Sequence, residues 1–326
     1  MTIKKITKNL SNNMLLYTLI AIILGILLGY FFNMKVLSSL TIPIIFVMIY
    51  PMMVNLSLSS LKKIKDSKKP LIQAIVLNFV FAPALMYLLT TIFAVSPQMK
   101  LAMMLLSIAP ASSMGLGYIG LAEGHLVSGA IIVAVAFILS IFVYPLAGHY
   151  LTVGTSLSVP ISLILKNLLI ILIAPLILGI ITREYVERKH GAEKFLKIKP
   201  YFSAVTLIML YFLIFVIFAT KSKLILSNLG NIWLLLPIAL LYYGITIFLV
   251  LIFNKHIFKF EYGHHQAVVF TSVSKNIALT IAVLVSVFGK EGQYMAVFPA
   301  IMALFQAPLL MVYLKFSVRI KRWLEK

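Results

Sequence analysis

Ten apolar segments follow one another along the chain, and short polar stretches separate them. A helix needs about 20 apolar residues to cross the hydrocarbon core of a bilayer. The pattern therefore predicts an all-α integral membrane protein with ten transmembrane helices, here called spans 1 to 10. The predicted spans cover residues 14–33, 36–56, 70–93, 98–122, 126–151, 160–182, 201–220, 231–254, 264–289 and 293–316.

The basic residues between these segments predict the topology. If the N-terminus is inside, 21 of the 28 Lys and Arg residues fall in inside segments and five in outside segments, while Lys166 and Lys275 lie within spans. Cytoplasmic loops carry such an excess of basic residues. We therefore expect a multi-pass protein of the cell membrane with both termini cytoplasmic. The longest polar stretch, about 183–200, is the predicted cytoplasmic loop.

Two spans are predicted to be broken. Residues 107–117 of span 4 combine a proline with serines and glycines, and residues 271–276 of span 9 contain five polar residues in six. Proline removes a helix hydrogen bond, and unwound backbone inside a bilayer survives only where protein or water surrounds it. Broken helices at matching places of inverted repeats indicate a binding site at mid-membrane.

The breaks lie five spans apart, which predicts two inverted five-helix repeats. The first repeat covers about 14–151 and the second about 160–316, within a single transmembrane transporter domain over 1–326. Weak echoes agree with this division: Gly25 of span 1 and Gly179 of span 6 have similar neighbours, and spans 5 and 10 both carry a late proline.

Composition indicates which molecules the chain is expected to contact. Hydrophobic residues make up 62% of the chain and charged residues 11%, too apolar for a soluble domain. A net charge of +20 would suggest nucleic acid in a soluble protein. Because the basic residues lie between apolar segments, we instead expect contact with anionic lipid headgroups and no nucleic acid. No enzyme motif, metal cluster or cofactor motif is present, and no carboxylate lies at mid-span.

Lys275 is the main anomaly, because it lies near the middle of span 9. A charge there costs about 3 kcal/mol on insertion scales. It could be a fixed positive charge for an anionic substrate or a proton carrier. Alternatively, it could snorkel or neutralise the carbonyl ends of broken helices.

Polar neighbours of the two breaks extend the candidate site. They could bind substrate or ion, or they could cap half-helices. The predicted binding residues are Lys275, Asn276, Ser274, Ser272, Thr271, Ser112, Ser113, Pro110 and Asn78. Isolated polar residues within spans, among them Asn78, Gln73 and Gln306, more often form interhelical hydrogen bonds.

His264 and His265 begin span 9. Adjacent helical residues point about 100° apart, which disfavours a metal pair. A cytoplasmic pH-responsive surface or a plain interfacial pair are the other two interpretations.

Four motif groups give the chain its resemblance to a known family. They are Thr41–Ile44 with Tyr50–Met53, Lys69–Leu71 with Leu77–Phe79, Ala109–Pro110 through Leu121–Gly124, and Asn276–Ala282 with Val287–Gly289. In these motifs the chain resembles the bile acid:sodium symporter superfamily, which includes arsenite-efflux carriers of the Acr3 type. The resemblance implies a panel domain, a core domain in which discontinuous helices 4 and 9 cross, and alternating access between the two.

Residues that differ from the family pattern bear on the substrate. The family's sodium-binding positions fall on Gly115, Leu116, Thr271 and Lys275, and only Asn276 keeps the family residue. The cysteine of arsenite carriers falls on Ala111, and the chain has no cysteine, which excludes capture of arsenite by a thiolate. Lys275 could thus replace a bound cation by a tethered one.

The leading hypothesis is a secondary carrier of a small, anionic solute that works by alternating access. Its site would lie between the helix crossing and the panel domain, and coupling would be to protons or absent, rather than to sodium. The alternatives are a sodium-coupled organic anion symporter, an arsenite or metalloid efflux carrier, and a non-transporting membrane sensor. An enzyme is not expected, and the oligomeric state is left open.

Overall fold

The computed structural model describes residues 3–112, 114–152, 157 and 159–325, without the side chains of Lys4, Ile161 and Asn231. Within these residues the chain is helical, and its one β pairing is an isolated antiparallel bridge between Ala111 and Lys275. The helices are α1 (Ile3–Asn12), α2 (Met14–Phe31), α3 (Thr41–Val54), α4 (Lys68–Val76), α5 (Ala82–Ile92), α6 (Pro97–Ser107), α7 (Met114–Leu121), α8 (Leu126–Tyr150), α9 (Ile161–Leu168), α10 (Ala174–His190), α11 (Ala192–Ser227), α12 (Leu229–Trp233), α13 (Leu235–Ile252), α14 (Tyr262–Val273), α15 (Ile277–Met295), α16 (Val297–Lys315) and α17 (Ser317–Leu324).

Shorter helical turns connect some of these elements. The 3₁₀ turns are Lys35–Leu40 and Leu58–Ser67, and the π turns are Leu77–Phe81, Leu169–Ile173 and Phe253–Ile257. The first two π turns each precede an Ala-Pro pair, at Pro83 and Pro175. Proline has no N–H to donate to the preceding turn, and the wider π turn accommodates this loss without ending the helix.

Eight continuous helical segments of the described chain are long and apolar enough to cross a membrane. They are Met14–Phe31, Lys35–Val54, Leu58–Ile92, Leu126–Tyr150, Ser162–His190, Ala192–Ser227, Leu235–Ile257 and Val297–Lys315. Each of these segments overlaps one predicted span, although several extend beyond its predicted bounds. The other two predicted spans, 4 and 9, are pairs of shorter helices: α6 with α7, and α14 with α15. The count of ten spans therefore stays a prediction, whereas the helical, multi-span character is confirmed.

Contacts divide the chain into two units. The first unit comprises Met1–Leu56, Pro145–Ile232 and Ala278–Leu304, and the second comprises Ser57–Tyr144, Trp233–Ile277 and Phe305–Lys326. Helices α8, α12, α15 and α16 each contribute residues to both units. The single transmembrane domain over 1–326 stays a prediction.

Small residues bring helices close together in the first unit. A Cβ atom added to Gly29 of α2 would lie 2.0 Å from the carbonyl oxygen of Ala219 in α11. At Gly179 of α10, an added Cβ would lie 2.6 Å from the Cβ of Met53 in α3. Small residues allow such close backbone approach between membrane helices.

The glycine contacts correspond in the way that an internal repeat predicts. Gly25 brings span 1 against span 7, with an added Cβ 2.8 Å from the carbonyl oxygen of Phe215. Gly179 brings span 6 against span 2. If spans 6 and 7 repeat spans 1 and 2, these two contacts are equivalent. The inverted repeats themselves stay a prediction.

The polar segment 183–200 is helical rather than an irregular loop. Helix α10 runs to His190 and α11 begins at Ala192. Two ion pairs at i,i+4 spacing, Arg183–Glu187 at 2.9 Å and Arg188–Glu184 at 3.1 Å, favour the helical conformation. Gly191, with φ of 82°, adopts a conformation that ends α10, because glycine tolerates positive φ. Charge alone marks this segment as exposed but does not distinguish a loop from a helix.

Candidate functional site

The two predicted breaks exist, and they meet in the second unit. Helix α6 ends at Ser107 and α7 begins at Met114, while α14 ends at Val273 and α15 begins at Ile277. The two connecting segments meet in the isolated antiparallel bridge between Ala111 and Lys275. We call this pairing the crossing. It confirms the central structural prediction from the sequence, that spans 4 and 9 are interrupted.

Backbone hydrogen bonds satisfy the groups that the breaks leave without helical partners. The N–H of Ser112 donates to the carbonyl of Ser274 at 2.7 Å, and the N–H of Asn276 donates to the carbonyl of Pro110 at 2.9 Å. Buried backbone groups require such partners, and the crossing supplies them for these two N–H groups. Pro110 thus has two effects: its ring interrupts span 4, and its carbonyl accepts from span 9.

The break in span 9 is shorter than predicted. Helix α14 continues through Thr271 and Ser272, and only residues 274–276 leave the helix. The hydroxyl of Thr271 donates to the carbonyl of Ala267 at 2.6 Å, within its own helix. A threonine side chain can bond its preceding turn in this way, so a polar side chain need not unwind a helix.

Gln306 of α16 holds the main chain of Lys275 from the other side. Its Oε1 accepts from the Lys275 N–H at 2.9 Å, and its Nε2 donates to the Lys275 carbonyl at 3.3 Å. The hydroxyl of Tyr243 also donates to Oε1 of Gln306, at 3.3 Å. The prediction that Gln306 forms an interhelical hydrogen bond is confirmed, because its side-chain amide bonds to both the N–H and the carbonyl of Lys275.

The side chain of Lys275 is buried, with 1% of its surface exposed. Its Nζ donates to Oδ1 of Asn78 at 2.6 Å. In the described part of the chain Lys275 forms no salt bridge. None of the eight acidic residues lies within 97–121 or 262–289. The terminal amino group of Lys275 therefore faces a neutral amide, and among the described residues no carboxylate lies within salt-bridge distance of it.

Asn78 lies in the π turn Leu77–Phe81, which orients its amide. Its Nδ2 donates to the carbonyl of Ala74 at 2.8 Å and to the carbonyl of Thr271 at 3.4 Å. With both hydrogens directed to carbonyls, Oδ1 faces Lys275. Asn78 is thus a hydrogen-bonding partner of the crossing, and π turns frequently occur at functional sites.

The remaining predicted residues differ in what their side chains contact. Ser112 acts as a cap, since its Oγ accepts from the N–H of Met114 at 3.2 Å at the start of α7. Ser272 and Ser274 are 2% and 1% exposed, and in the described residues neither hydroxyl has a hydrogen-bond partner. Asn276 lies at the crossing and is buried. Ser113 lies outside the described residues.

The sequence analysis missed a second buried network in this unit. Gln73 donates to Asn254 at 2.5 Å, Asn254 contacts Nδ1 of His265 at 2.7 Å, and Nε2 of His265 contacts the Tyr313 hydroxyl at 2.9 Å. That hydroxyl donates to Gln266 at 3.1 Å. The network joins four helical segments of the second unit. Only the isolated position of Gln73 in apolar sequence gave any signal of it.

The interpretation of His264 and His265 as an interfacial pair is wrong for His265. This side chain has no exposed surface, and both of its ring nitrogens contact other side chains. His264 instead contacts Ser128, at 3.0 Å. The two rings point to different partners because adjacent residues project about 100° apart on a helix.

Comparisons with known proteins agree with this architecture. The sequence profile of the Sodium Bile acid symporter family matches residues 42–228, more than half of the chain. This stretch runs from the second predicted span through the end of α11.

Several curated proteins are similar over most of their length. The chain is 24% identical to the arsenical-resistance protein Acr3 of Alkaliphilus metalliredigens over 303 residues, which cover 88% of this chain and 84% of the relative. It is 25% identical to the Acr3 protein of Corynebacterium glutamicum over 295 residues, 84% of this chain and 80% of the relative. It is also 24% identical to the uncharacterized transporter slr0944 of Synechocystis, over 95% of this chain and 89% of the relative. Together with the multi-span helical fold and the profile match, these similarities show that the chain belongs to the sodium bile acid symporter family and is a multi-pass membrane transporter of the kind that includes the Acr3 proteins.

Proposed function

We propose that this protein carries a small anionic solute across the cell membrane by alternating access, without sodium and without a cofactor. One observation supports this most strongly: a buried ammonium group at the crossing has a neutral partner and no carboxylate nearby. An uncompensated buried charge is costly, and binding of an anion offsets that cost. Both termini are cytoplasmic in this proposal.

Two buried hydroxyls add a reason to place the anion near Lys275. Ser272 and Ser274 lie beside it in the chain, and neither hydroxyl donates to a described residue. A buried hydroxyl without a partner loses the free energy of about one hydrogen bond, on the order of 1–3 kcal/mol. An anion with several acceptor oxygens would accept from these hydroxyls and from the ammonium group.

Lys275 also bears on the coupling ion. Hard cations bind carbonyl oxygens, and ammonium groups donate hydrogen bonds to them. A cation bound near Asn78 would therefore compete with Lys275 for Oδ1 of Asn78. A tethered cation at this place makes a second, free cation unfavourable, because like charges repel at short distance. We therefore favour transport coupled to protons, or uncoupled, over transport coupled to sodium.

Thermal stability in detergent with and without added anions tests the proposal. Wild type and Lys275→Met would be heated with a panel of inorganic and organic anions, each in sodium-free and in sodium-containing buffer. A ligand at 100 times its Kd stabilises the folded protein by about 2.7 kcal/mol. We expect at least one anion to raise the melting temperature of wild type in sodium-free buffer, and to leave Lys275→Met unchanged.

Three outcomes would replace the proposal. Stabilisation that requires sodium would favour the sodium-coupled organic anion symporter. If no anion binds and reconstituted protein transports none, the non-transporting sensor becomes the better hypothesis. Equal stabilisation of wild type and Lys275→Met would remove Lys275 from the site.

A second candidate function is metalloid efflux, and it rests on the names of the two arsenical-resistance relatives. The chain itself contains no cysteine that could bind arsenite as a thiolate, and Ala111 stands at the crossing. Arsenite and arsenate should therefore be included among the compounds of the thermal-stability test. Stabilisation by arsenite in preference to every anion would favour metalloid efflux.

A further inference from the structure

A second polar cluster lies in the second unit, at the opposite end of α14 from the crossing. Four side chains meet there at one hydroxyl. Oγ of Ser128 lies 2.7 Å from Oγ of Ser67, 2.8 Å from Nδ1 of His125 and 3.0 Å from Nδ1 of His264. The rings of His125 and His264 have centroids 4.6 Å apart. We call these four residues the histidine clasp.

One contact identifies an acceptor in the clasp. The N–H of Ser128 donates to Nδ1 of His125 at 3.2 Å, so that this ring nitrogen acts as an acceptor. The Ser128 hydroxyl has one hydrogen to donate, and it lies within hydrogen-bond distance of the Ser67 hydroxyl and of Nδ1 in both histidine rings.

The clasp attaches the first turn of α14 to the connection between α7 and α8. The N–H of His125 donates to the carbonyl of Gly263 at 2.9 Å, and the hydroxyl of Tyr262 donates to the carbonyl of Ala122 at 2.9 Å. His125 also caps α8, because its ring accepts the Ser128 N–H in the first turn of that helix. A change in the charge of the His125 ring therefore affects the cap of α8 directly, and it affects the contact with His264 in the first turn of α14 through Ser128.

Few charges face the clasp. Glu261 acts electrostatically on His264, and Glu123 acts on Tyr262. The Lys321 ammonium lies 5.5 Å from the centroid of the Tyr262 ring, and Asp66 and Lys68, which flank Ser67, are both exposed. Neither histidine forms a salt bridge in the described residues. The two imidazole rings are therefore the groups whose charge changes most directly affect the clasp.

We propose that the histidine clasp is a proton-binding site whose protonation releases the first turn of α14. A proton on Nδ1 of His125 would meet the Ser128 N–H, and the cap of α8 would be lost. A second proton, on His264, would place two positive charges in adjacent rings. Because α14 carries the crossing at its other end, proton binding at the clasp changes how firmly that helix is held. The proposal does not depend on which solute is carried.

Hydrogen exchange of the full-length protein, followed by mass spectrometry, tests this proposal without a substrate. Exchange in residues 122–128 and 261–266 would be compared at about pH 8 and about pH 5.5, a range across which histidine changes charge. Rates would be corrected for the intrinsic effect of pH. We expect about fivefold faster exchange at the lower pH in wild type, the factor that corresponds to loss of one helix cap.

The double variant His125→Asn/His264→Gln should show no such pH dependence, because asparagine keeps the cap and neither side chain titrates. His190→Asn, at the exposed end of α10, is the matched control and should behave as wild type. If wild-type exchange in these segments is equal at both pH values, or if the double variant responds as wild type does, the proposal is wrong.

If the double variant does not fold, His264→Gln alone keeps the test decisive. Only one ring then becomes charged, so the increase in exchange at low pH should be smaller than in wild type. An increase of the same size as in wild type would overturn the proposal.

Discussion

The two units bury different kinds of side chain. In the described residues 23 polar or charged side chains are buried; 17 of them belong to the second unit and six to the first. The first unit brings its helices together through glycines, as where Gly29 meets Ala219. The second unit has the larger share of buried side-chain hydrogen bonds between helices, among them those of Asn78 and Gln306.

This difference separates two ways of holding helices together in a membrane. Packing of small residues depends on shape alone, whereas a buried polar network depends on every partner being present. A chain whose only task was to span the bilayer would have little need of buried ammonium, amide and hydroxyl groups, which are costly there. The buried polar groups on which the proposed function rests belong to the second unit.

The largest expected effect follows from removing the partner of Lys275. Asn78→Leu should lower the free energy of unfolding by about 3–5 kcal/mol, because a buried ammonium group is left without its acceptor. Thermal or denaturant unfolding in detergent measures this. The double variant Asn78→Leu/Lys275→Met should recover most of the loss, since neither buried polar group remains. A double variant as unstable as the single variant would contradict this account of the pair.

A clash in the first unit comes next. Gly29→Ala should lower stability by about 3 kcal/mol, since the added methyl group would meet a backbone carbonyl rather than a flexible side chain. Gly244→Ala in α13 is the matched control, because nothing lies within 4 Å of its added Cβ. That substitution should leave stability unchanged or raise it by about 1 kcal/mol. Equal effects of the two substitutions would refute the close contact of α2 with α11.

Loss of the amide that pairs with the crossing should have a moderate effect. Gln306→Leu removes two hydrogen bonds to the main chain of Lys275 and should cost about 2 kcal/mol. Hydrogen exchange should also increase at the N–H of Lys275, measured against peptides of the first unit. An unchanged exchange rate there would show that Gln306 does not hold the crossing.

The smallest effect on stability should come with a functional one. Ser274→Ala should change stability by less than about 0.5 kcal/mol, because the hydroxyl has no partner among the described residues. It should nevertheless reduce stabilisation by the bound anion. Ser140→Ala, whose hydroxyl donates to the carbonyl of Phe137, is a buried control in the same unit and should keep that response. If Ser274→Ala responds to the anion as wild type does, Ser274 does not bind it.

Interruptions of the helices could be predicted from the sequence, but their partners could not. Pro110 and the polar residues at 274–276 lie where the helices of spans 4 and 9 are interrupted, although the polar run began three residues earlier, at Thr271. The acceptor of Lys275 lies 197 residues away along the chain. The hydrophobic pattern does not predict which side of that helix faces Lys275. Asn78 was predicted both as a binding residue and as one of several isolated polar residues, but nothing in the sequence predicted its hydrogen bond with Lys275.

Two polar segments show what the sequence left open. An interfacial position was one of the interpretations of His265, but its partners Asn254 and Tyr313 lie on other helices, and the side chain is buried. Residues 183–200 were predicted as the cytoplasmic loop, which stays a prediction, and they form the end of α10 and the start of α11 on either side of Gly191. Polarity predicts contact with water or with a partner, and only the fold decides between them.

Anion uptake into proteoliposomes in sodium-free medium tests the central claim most directly, with wild type compared with Asn78→Leu/Lys275→Met. The account predicts uptake by wild type and none by the double variant, although both unfold at similar temperatures. Uptake by the double variant at the wild-type rate, or uptake by wild type only when sodium is added, would contradict it.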